Sequence, residues 1–261
     1  MACKIGFIGA GKMAEALITA ILNSKITKEI ITSDINTNRL NYLKKELKIK
    51  TTNDNKEILN SDIIFLAVKP QVMDNVLEEI EDTDKLVVSI AAGITIGHLE
   101  SKLKNARVIR VMPNTPCLVG EMAAGFSLGK KVKDDDVKLI EELLNSAGKA
   151  YLLNEKLLDG VTGLSGSGPA FVAYLLEGMI EAGVKEGLNK DIATELALQT
   201  FKGTAKLLQE TGISPLELID MVSSPGGTTV EGMSVLKKSD VKSVLRETIK
   251  AAAKRSKELK K

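Results

Sequence analysis

Residues Gly6–Ala14 read GFIGAGKMA, and they set the expectation for the whole chain. The stretch continues an apolar run that reaches Ile8. It leads into a segment with apolar residues at Met13, Leu17 and Ile21, which is the spacing of one helix face. A strand, a glycine turn and a helix therefore follow one another, as at the start of a parallel α/β sheet.

The glycines of this stretch form a GxGxxA pattern at Gly9, Gly11 and Ala14. In such a turn the first glycine permits a tight bend, the second lets a pyrophosphate approach the backbone, and the small third residue keeps the helix close to the sheet. Amides at the helix N-terminus complement the phosphate charge. We therefore predict a dinucleotide site whose loop consists of Ile8, Gly9, Ala10, Gly11, Lys12 and Met13.

Short β-branched runs alternate with helical patterns over the first part of the chain. This alternation predicts an α/β domain with a parallel sheet. Two of the runs, IIFLAV and LVVSI, are apolar throughout, which is typical of central strands covered on both faces. The predicted strands are Lys4–Ile8, Ile30–Ser33, Asp62–Val68, Leu86–Ile90, Arg107–Met112, Ala123–Leu128 and Lys149–Leu153.

From about Leu157 onward helical periodicity replaces the strand pattern. We therefore predict a Rossmann NAD(P)-binding domain over residues 1–156 and an all-helical domain over residues 157–261. Serine–proline pairs at Ser214-Pro215 and Ser224-Pro225 predict helix starts. The predicted helices are Ala170–Lys185, Lys190–Glu210, Pro215–Val222, Thr228–Leu236 and Val241–Glu258.

Composition argues against several function classes. The net charge is +2, positive and negative residues are interspersed, and aromatic residues make up 3% of the chain, so we expect no nucleic-acid partner. Cys3 and Cys117 lack metal-ligand spacing, which indicates reduced thiols and no metal site. We find no cleavage signature and no apolar run of about 18 residues, so we expect a cytoplasmic protein without a membrane span.

Asp34 follows the second predicted strand, about 20 residues beyond the glycine motif. An acidic group at this position can bond both ribose hydroxyls of NAD, which favours NADH. Ser33, Asn36, Asn38 and Arg39 lie near enough in sequence to receive a 2′-phosphate if Asp34 turns away. The cofactor is therefore NADPH or NADH, and a helix N-cap is the alternative role for Asp34.

Five segments, in this order along the chain, resemble the pyrroline-5-carboxylate reductase family. The GxGxxA, AVKP and MPNTP patterns also occur in related dehydrogenases, whereas VTGLSGSGPA followed by SSPGGTT is specific to the family. The segments are Ala67–Gln71, Ala91–Gly93, Met112–Pro116, Val161–Ala170 and Ser223–Thr229.

The resemblance implies reduction of the C=N bond of 1-pyrroline-5-carboxylate by NADPH or NADH, giving L-proline. It also implies a homodimer that interlocks through the helical domain, often within a ring of dimers, with the active site between subunits. Asn55 would lie near the adenosine end of the cofactor. The residues along the nicotinamide and its ribose would be Ala67, Val68, Lys69, Pro70, Ala91, Ala92 and Gly93.

The substrate carries a carboxylate, and the SSPGGTT segment suits it. Gly226 and Gly227 open backbone amides at a predicted helix N-terminus, which binds carboxylates without a cationic side chain. Thr228 adds a hydroxyl. By resemblance, Thr229 would hydrogen-bond the ring nitrogen and act as a catalytic residue. The alternative is a turn that only starts a helix.

The resemblance also implies that Glu155 and Ser165 lie near bound substrate. Lys69 ends a buried strand at the ligand-binding edge of the sheet, so we predict a catalytic or steering role rather than a solvated surface charge. The only histidine, His98, stands at a helix start and is expected to cap or pack there.

Two other functions share these patterns. A β-hydroxyacid dehydrogenase or another imine reductase would have the same architecture, but the former needs a lysine in the first helix of its second domain. Residues 165–184 contain no lysine or arginine, which favours imine chemistry. A nucleotide sensor without turnover is the non-enzymatic alternative.

Overall fold

The computed structural model describes residues 3–260. Their strands form one eight-stranded sheet with the order β3-β2-β1-β4-β5-β6-β7-β8, once the strands are numbered along the chain. The strands are β1 (Ile5–Ile8), β2 (Ile30–Ser33), β3 (Lys50–Thr52), β4 (Ile63–Leu66), β5 (Leu86–Ser89), β6 (Arg107–Met112), β7 (Met122–Leu128) and β8 (Gly148–Leu152).

The predicted parallel sheet is confirmed, with one exception: β6 and β7 are antiparallel. Only residues 113–121 join these two strands, and they include the 3₁₀ turn Thr115–Val119. A parallel connection needs about a dozen residues or more, usually with a helix, so this link is too short for one. The short edge strand β3 was not predicted, since KTT carries no apolar pattern.

The central strands behave as predicted. Every residue of β4 and β5 is buried, and the Phe7 and Phe65 rings of neighbouring strands stack with centroids 4.6 Å apart. Such two-sided burial is what continuous apolar runs predict. The helices of this part are α1 (Lys12–Ser24), α2 (Thr37–Leu47), α3 (Met73–Glu79), α4 (Ile96–Lys102), α5 (Asp134–Asn145) and α6 (Leu158–Val161).

The chain divides into two compact units. The first comprises the chain up to Pro169 together with the segment from Ile249 onward, and the second comprises Ala170–Thr248. The predicted helical region is confirmed, and the boundary between residues 156 and 157 stays a prediction. The helices are α7 (Gly168–Lys185), α8 (Lys190–Thr211), α9 (Pro215–Met221), α10 (Thr228–Lys238) and α11 (Val241–Glu258).

One of the two predicted serine–proline starts is confirmed. Ser214 caps α9, accepting a hydrogen bond from the Glu217 amide while the Glu217 carboxylate accepts one from the Ser214 amide. The second is wrong, because Pro225 lies in a turn and α10 begins only at Thr228. Gly226 has φ +73°, a left-handed conformation that interrupts a right-handed helix. Among residues 3–260, no helix has the length and apolar character that crossing a bilayer requires.

Candidate active site

The carboxyl ends of β1, β2, β4 and β5 meet at one edge of the sheet. The strand order reverses between β1 and β4, and in open α/β sheets ligands bind outside the carboxyl ends at such a point. The loops that leave these strands carry most of the predicted cofactor residues. The fold therefore gathers at one edge segments that are up to 85 residues apart in sequence, from Ile8 to Gly93.

The glycine turn has the backbone that a dinucleotide loop needs. Gly9 has φ +103°, a backbone conformation that residues with a side chain rarely adopt. A Cβ atom there would also lie only 2.6 Å from the Ala67 carbonyl oxygen, so a side chain is excluded by steric overlap as well. At Gly11, which precedes α1, a Cβ atom would meet no atom within 4 Å. Open space beside a helix N-terminus suits a pyrophosphate, so the residues present fit a dinucleotide.

Asp34 binds the glycine loop itself. Its Oδ2 accepts a hydrogen bond from the Ala10 amide at 2.7 Å, and its Oδ1 accepts one from the Asn36 amide at 2.8 Å. The alternative in which Asp34 caps the next helix is wrong, because Asn36 caps α2 by accepting a hydrogen bond from the Arg39 amide. The Asp34 carboxylate therefore holds the loop in place at the predicted ribose position.

A second polar link joins the predicted adenosine residues. The Ser33 hydroxyl donates a hydrogen bond to Asn55 Oδ1 at 2.6 Å, and Asn55 Nδ2 donates one to Glu79 at 2.7 Å. Ser33 is fully buried. Asn55 is thus fixed at the end of β2, although the stretch that contains it has no regular strand or α-helix pattern.

The contacts that Arg39 makes between α1 and α2 were not predicted from the sequence, which named this residue only as a candidate ligand of a 2′-phosphate. Arg39 donates a hydrogen bond to the Ala10 carbonyl at 2.6 Å, pairs with Glu15, and stacks over the Tyr42 ring at 4.9 Å. Burial opposes ionisation of Glu15, but hydrogen bonds from Arg39, Lys12 and Tyr42 outweigh it and lower the pKa of that carboxyl. The Arg39–Tyr42 spacing of three residues on a helix was the available signal.

The segments after β4 and β5 complete the edge. Lys69 is exposed and precedes the 3₁₀ turn Pro70–Val72. Ala67 is hydrogen-bonded to β1 through the Ile8 carbonyl at 2.8 Å. Gly93 has φ +79°, so the turn after β5 requires glycine there. His98 lies beyond this turn, and its Nε2 is 2.6 Å from Asp74 Oδ1, which agrees with a packing role.

Glu155 pairs with a cation that the sequence reading did not single out. Its Oε1 lies 2.9 Å from Arg110 Nη1 and also accepts a hydrogen bond from the Ile96 amide at 2.8 Å. The Arg110 side chain is 2% exposed and the Glu155 side chain 29% exposed. Arg110, in the fully buried part of the strand RVIRVM, was the available signal, because a buried charge needs a partner.

Ser165 lies in the π-helical turn Thr162–Gly166, a form often found at functional sites. Its carbonyl accepts a hydrogen bond from Asn114 Nδ2 at 3.0 Å, and Asn114 Oδ1 accepts one from the Ala123 amide at 2.9 Å. A Cβ atom on Gly166 would lie 2.7 Å from the Met112 methyl carbon. The MPNTP and SGSG segments are therefore packed together.

The predicted carboxylate turn belongs to the second unit. Gly227 is the N-cap of α10, and a Cβ atom there would lie 2.6 Å from the Ser224 hydroxyl oxygen. Thr228 and Thr229 are the first two helical residues, whose amides have no intrahelical acceptor. The Gly227 amide donates a hydrogen bond to the Ser224 carbonyl at 2.9 Å, so the prediction that this amide is open to a ligand is wrong. The SSPGGTT segment presents the amides and hydroxyls of Thr228 and Thr229 at a helix N-terminus.

Sheet, glycine loop and helical unit together define a nicotinamide-dependent oxidoreductase with a helical dimerisation domain. Two family models match: "NADP oxidoreductase coenzyme F420-dependent" over residues 4–93 and "Pyrroline-5-carboxylate reductase dimerisation" over residues 155–259.

Full-length relatives narrow the class to one family. The pyrroline-5-carboxylate reductase of Methanosarcina acetivorans is 42% identical over 98% of this chain and 97% of its own length. The solved reductase of Coxiella burnetii has a TM-score of 0.94 at 34% identity and covers 100% of both chains. That of Plasmodium falciparum, solved with NADP bound, has a TM-score of 0.89 at 35% identity and covers 99% of this chain and 98% of its own. The chain belongs to the pyrroline-5-carboxylate reductase family, and it is an NAD(P)H-dependent oxidoreductase of proline biosynthesis.

Proposed function

We propose that the reaction, reduction of the 1-pyrroline-5-carboxylate C=N bond to give L-proline, is carried out by the residue set predicted from the sequence. One observation carries the proposal: the SSPGGTT segment forms a left-handed glycine turn that opens directly into α10. Amides at such a helix N-terminus bind a carboxylate. Thr229, in the first turn of α10, is then the hydrogen-bonding partner of the ring nitrogen.

The cofactor residues of the proposal are those of the sheet edge. The loop Ile8–Met13 holds the pyrophosphate, Ser33, Asp34 and Asn55 hold the adenosine end, and the segments Ala67–Pro70 and Ala91–Gly93 line the nicotinamide and its ribose. A reduced nicotinamide supplies hydride to the imine carbon. The close contact of Gly9 with Ala67 supports this set, because it joins the phosphate loop to the segment after β4.

The remaining substrate residues have positioning roles in this proposal. Ser165 is held by Asn114, and the Glu155 carboxylate binds Arg110 and the Ile96 amide. Lys69 is exposed and steers the anionic substrate or cofactor phosphates. An imine is easily protonated near neutral pH, so the chain supplies rate mainly by orienting the reactants.

We further propose a cytoplasmic homodimer that interlocks through the helical unit and joins a ring of dimers. Large apolar side chains on α7 and α8 support this assembly, since Tyr174 is 76% exposed and Leu196 is 54% exposed. Exposed apolar surface of this kind marks association sites. Light scattering coupled to gel filtration measures the subunit number, and a monomer at micromolar concentration would refute the assembly.

The absorbance of the reduced cofactor tests the function directly. Addition of 1-pyrroline-5-carboxylate to the protein with NADPH or NADH is expected to consume the cofactor and produce proline. A sensor would bind the cofactor without oxidising it, and that result would refute the proposed chemistry. Parallel titrations with both cofactors measure the preference.

A further inference from the structure

The end of α11 is anchored by a buried carboxylate that the proposed reaction does not use. Asp159 is 1% exposed. Its Oδ1 accepts a hydrogen bond from the Ser256 hydroxyl at 3.0 Å, and its Oδ2 lies 2.6 Å from Lys260 Nζ. A buried carboxylate is tolerated when it is paired, so Asp159 fixes the position of residues 256–260, here called the α11 tail.

Backbone packing adds to this anchor. A Cβ atom on Gly163 would lie 2.7 Å from the Ile249 carbonyl oxygen and 3.1 Å from the Ala253 amide nitrogen. The π-helical turn and α11 therefore touch backbone to backbone at Gly163. Any side chain there would push α11 away, because a real Cβ atom does not approach another atom so closely.

The α11 tail rests on the turn after β5. A Cβ atom on Gly93 would lie 2.6 Å from the Leu259 carbonyl oxygen and 3.2 Å from its carbonyl carbon. Gly93 itself is buried and has a left-handed backbone. The contacts of Asp159 with Ser256 and Lys260 thus hold the tail whose Leu259 backbone packs against the turn after β5. This turn lies at the carboxyl edge of the central strands.

We propose that the α11 tail is a positioning element for the reduced cofactor. Asp159 holds the tail, and the Leu259 backbone sets the position of the Ala91–Gly93 turn. This inference rests on the proposed function, which assigns that turn to the nicotinamide ribose. Loss of the anchor is expected to loosen the turn and weaken cofactor binding, while residues that touch the substrate are unchanged.

The test compares Lys260→Met with Lys257→Met in the full-length protein. Both changes remove one positive charge from the same part of the chain, but only Lys260 pairs with Asp159, and Lys257 is exposed. Amide exchange of residues 91–94 is measured by mass spectrometry without cofactor, and the Kd for NADPH and NADH is measured by titration. Lys260→Met is expected to exchange these amides about fivefold faster or more and to raise Kd by about three- to tenfold.

Lys257→Met and the conservative Lys260→Arg are expected to match the parent protein in both measurements. A chain ending at Glu258 is a second variant, and it should show at least the effect of Lys260→Met. Unchanged exchange in both Lys260→Met and the shortened chain would overturn the proposal. Faster exchange with an unchanged Kd would also overturn it and would remove the turn from the cofactor site. Failure of the parent protein to oxidise NAD(P)H with the imine refutes the proposed function instead, and neither exchange nor Kd depends on turnover.

Discussion

Replacing Glu155 tests whether its carboxylate supports the fold or contacts the substrate. Glu155→Ala leaves the Arg110 guanidinium, which is 2% exposed, without its carboxylate partner. Breaking a fully buried ion pair costs about 3–5 kcal/mol, and breaking an exposed one costs about 1 kcal/mol or less. Since the Glu155 side chain is 29% exposed, we expect an intermediate loss of about 3 kcal/mol, which includes the acceptor of the Ile96 amide.

The converse change should cost less. Arg110→Met removes the buried charge and leaves a carboxylate that reaches water and still accepts the Ile96 hydrogen bond. We expect Arg110→Met to lower the free energy of unfolding by about 1–2 kcal/mol, which is less than the loss expected for Glu155→Ala. Glu155→Gln, which keeps an acceptor for Ile96, should fall between the parent and Glu155→Ala.

Urea unfolding at a fixed protomer concentration measures these differences, since dimerisation makes stability depend on concentration. A loss of 3 kcal/mol corresponds to a fall in Tm of about 6–12 °C for a chain of this size. The double variant gives the coupling between the two residues, expected to be about 1 kcal/mol or more. A Glu155→Ala protein of parental stability with a raised KM for the imine would refute this reasoning and assign Glu155 to the substrate.

Three further measurements address other residues of the chain. Thr229→Ala should lower turnover by a factor of tens, about 2 kcal/mol for one hydrogen bond lost in the transition state, and unchanged turnover would remove Thr229 from the mechanism. Asp34→Ser should shift the ratio of kcat/KM values towards NADPH by about tenfold and also raise both KM values, because the Ala10 amide loses its acceptor. Asp34→Asn keeps an acceptor and serves as the control; equal ratios in all three proteins would show that Asp34 does not read the ribose. Burial raises the pKa of Cys117 to about 11, so its thiol should react with iodoacetamide at pH 8 about 100-fold more slowly in the folded than in the unfolded protein. The folded state binds the Cys117 thiol proton more tightly than the unfolded state, so the stabilisation from this proton should be lost as the pH rises from the unfolded thiol pKa towards 11. Equal alkylation rates in the folded and unfolded protein would refute the raised pKa of Cys117.

The sequence predicted those parts of the fold in which a local pattern coincides with burial. The runs of β4 and β5 are apolar because both faces are covered, and the GxGxxA spacing required the strand, turn and helix that are found. The direction of β7 could not be predicted in this way. It depends on the length of the link after Met112, a topological constraint that leaves no periodicity in the strand itself.

The site was predictable where backbone conformation restricts the residue and unpredictable where two distant side chains pair. Gly9 and Gly93 have left-handed backbones and close neighbours, so only glycine fits at these positions and its presence in the sequence indicates the two turns. Arg110 and Glu155 are 45 residues apart, and although Arg110 inside a buried strand indicates a paired charge, nothing in the sequence identifies Glu155 as its partner. Only the three-dimensional arrangement brings them together, because a contact between a strand and a turn that follows a different strand has no fixed spacing in the sequence.

The proposed mechanism relies on orientation of the reactants rather than on a strong general acid or base, and three carboxylates fit such a mechanism. Asp34 binds the Ala10 amide, Glu155 binds the Ile96 amide and Arg110, and Asp159 binds the α11 tail. Each carboxylate thus orients a backbone segment. Proton transfer to an imine near neutral pH needs little assistance, whereas hydride transfer depends steeply on the distance and angle between donor and acceptor. In the proposed mechanism, charged residues that fix backbone segments therefore act on the hydride-transfer step, which depends most on geometry.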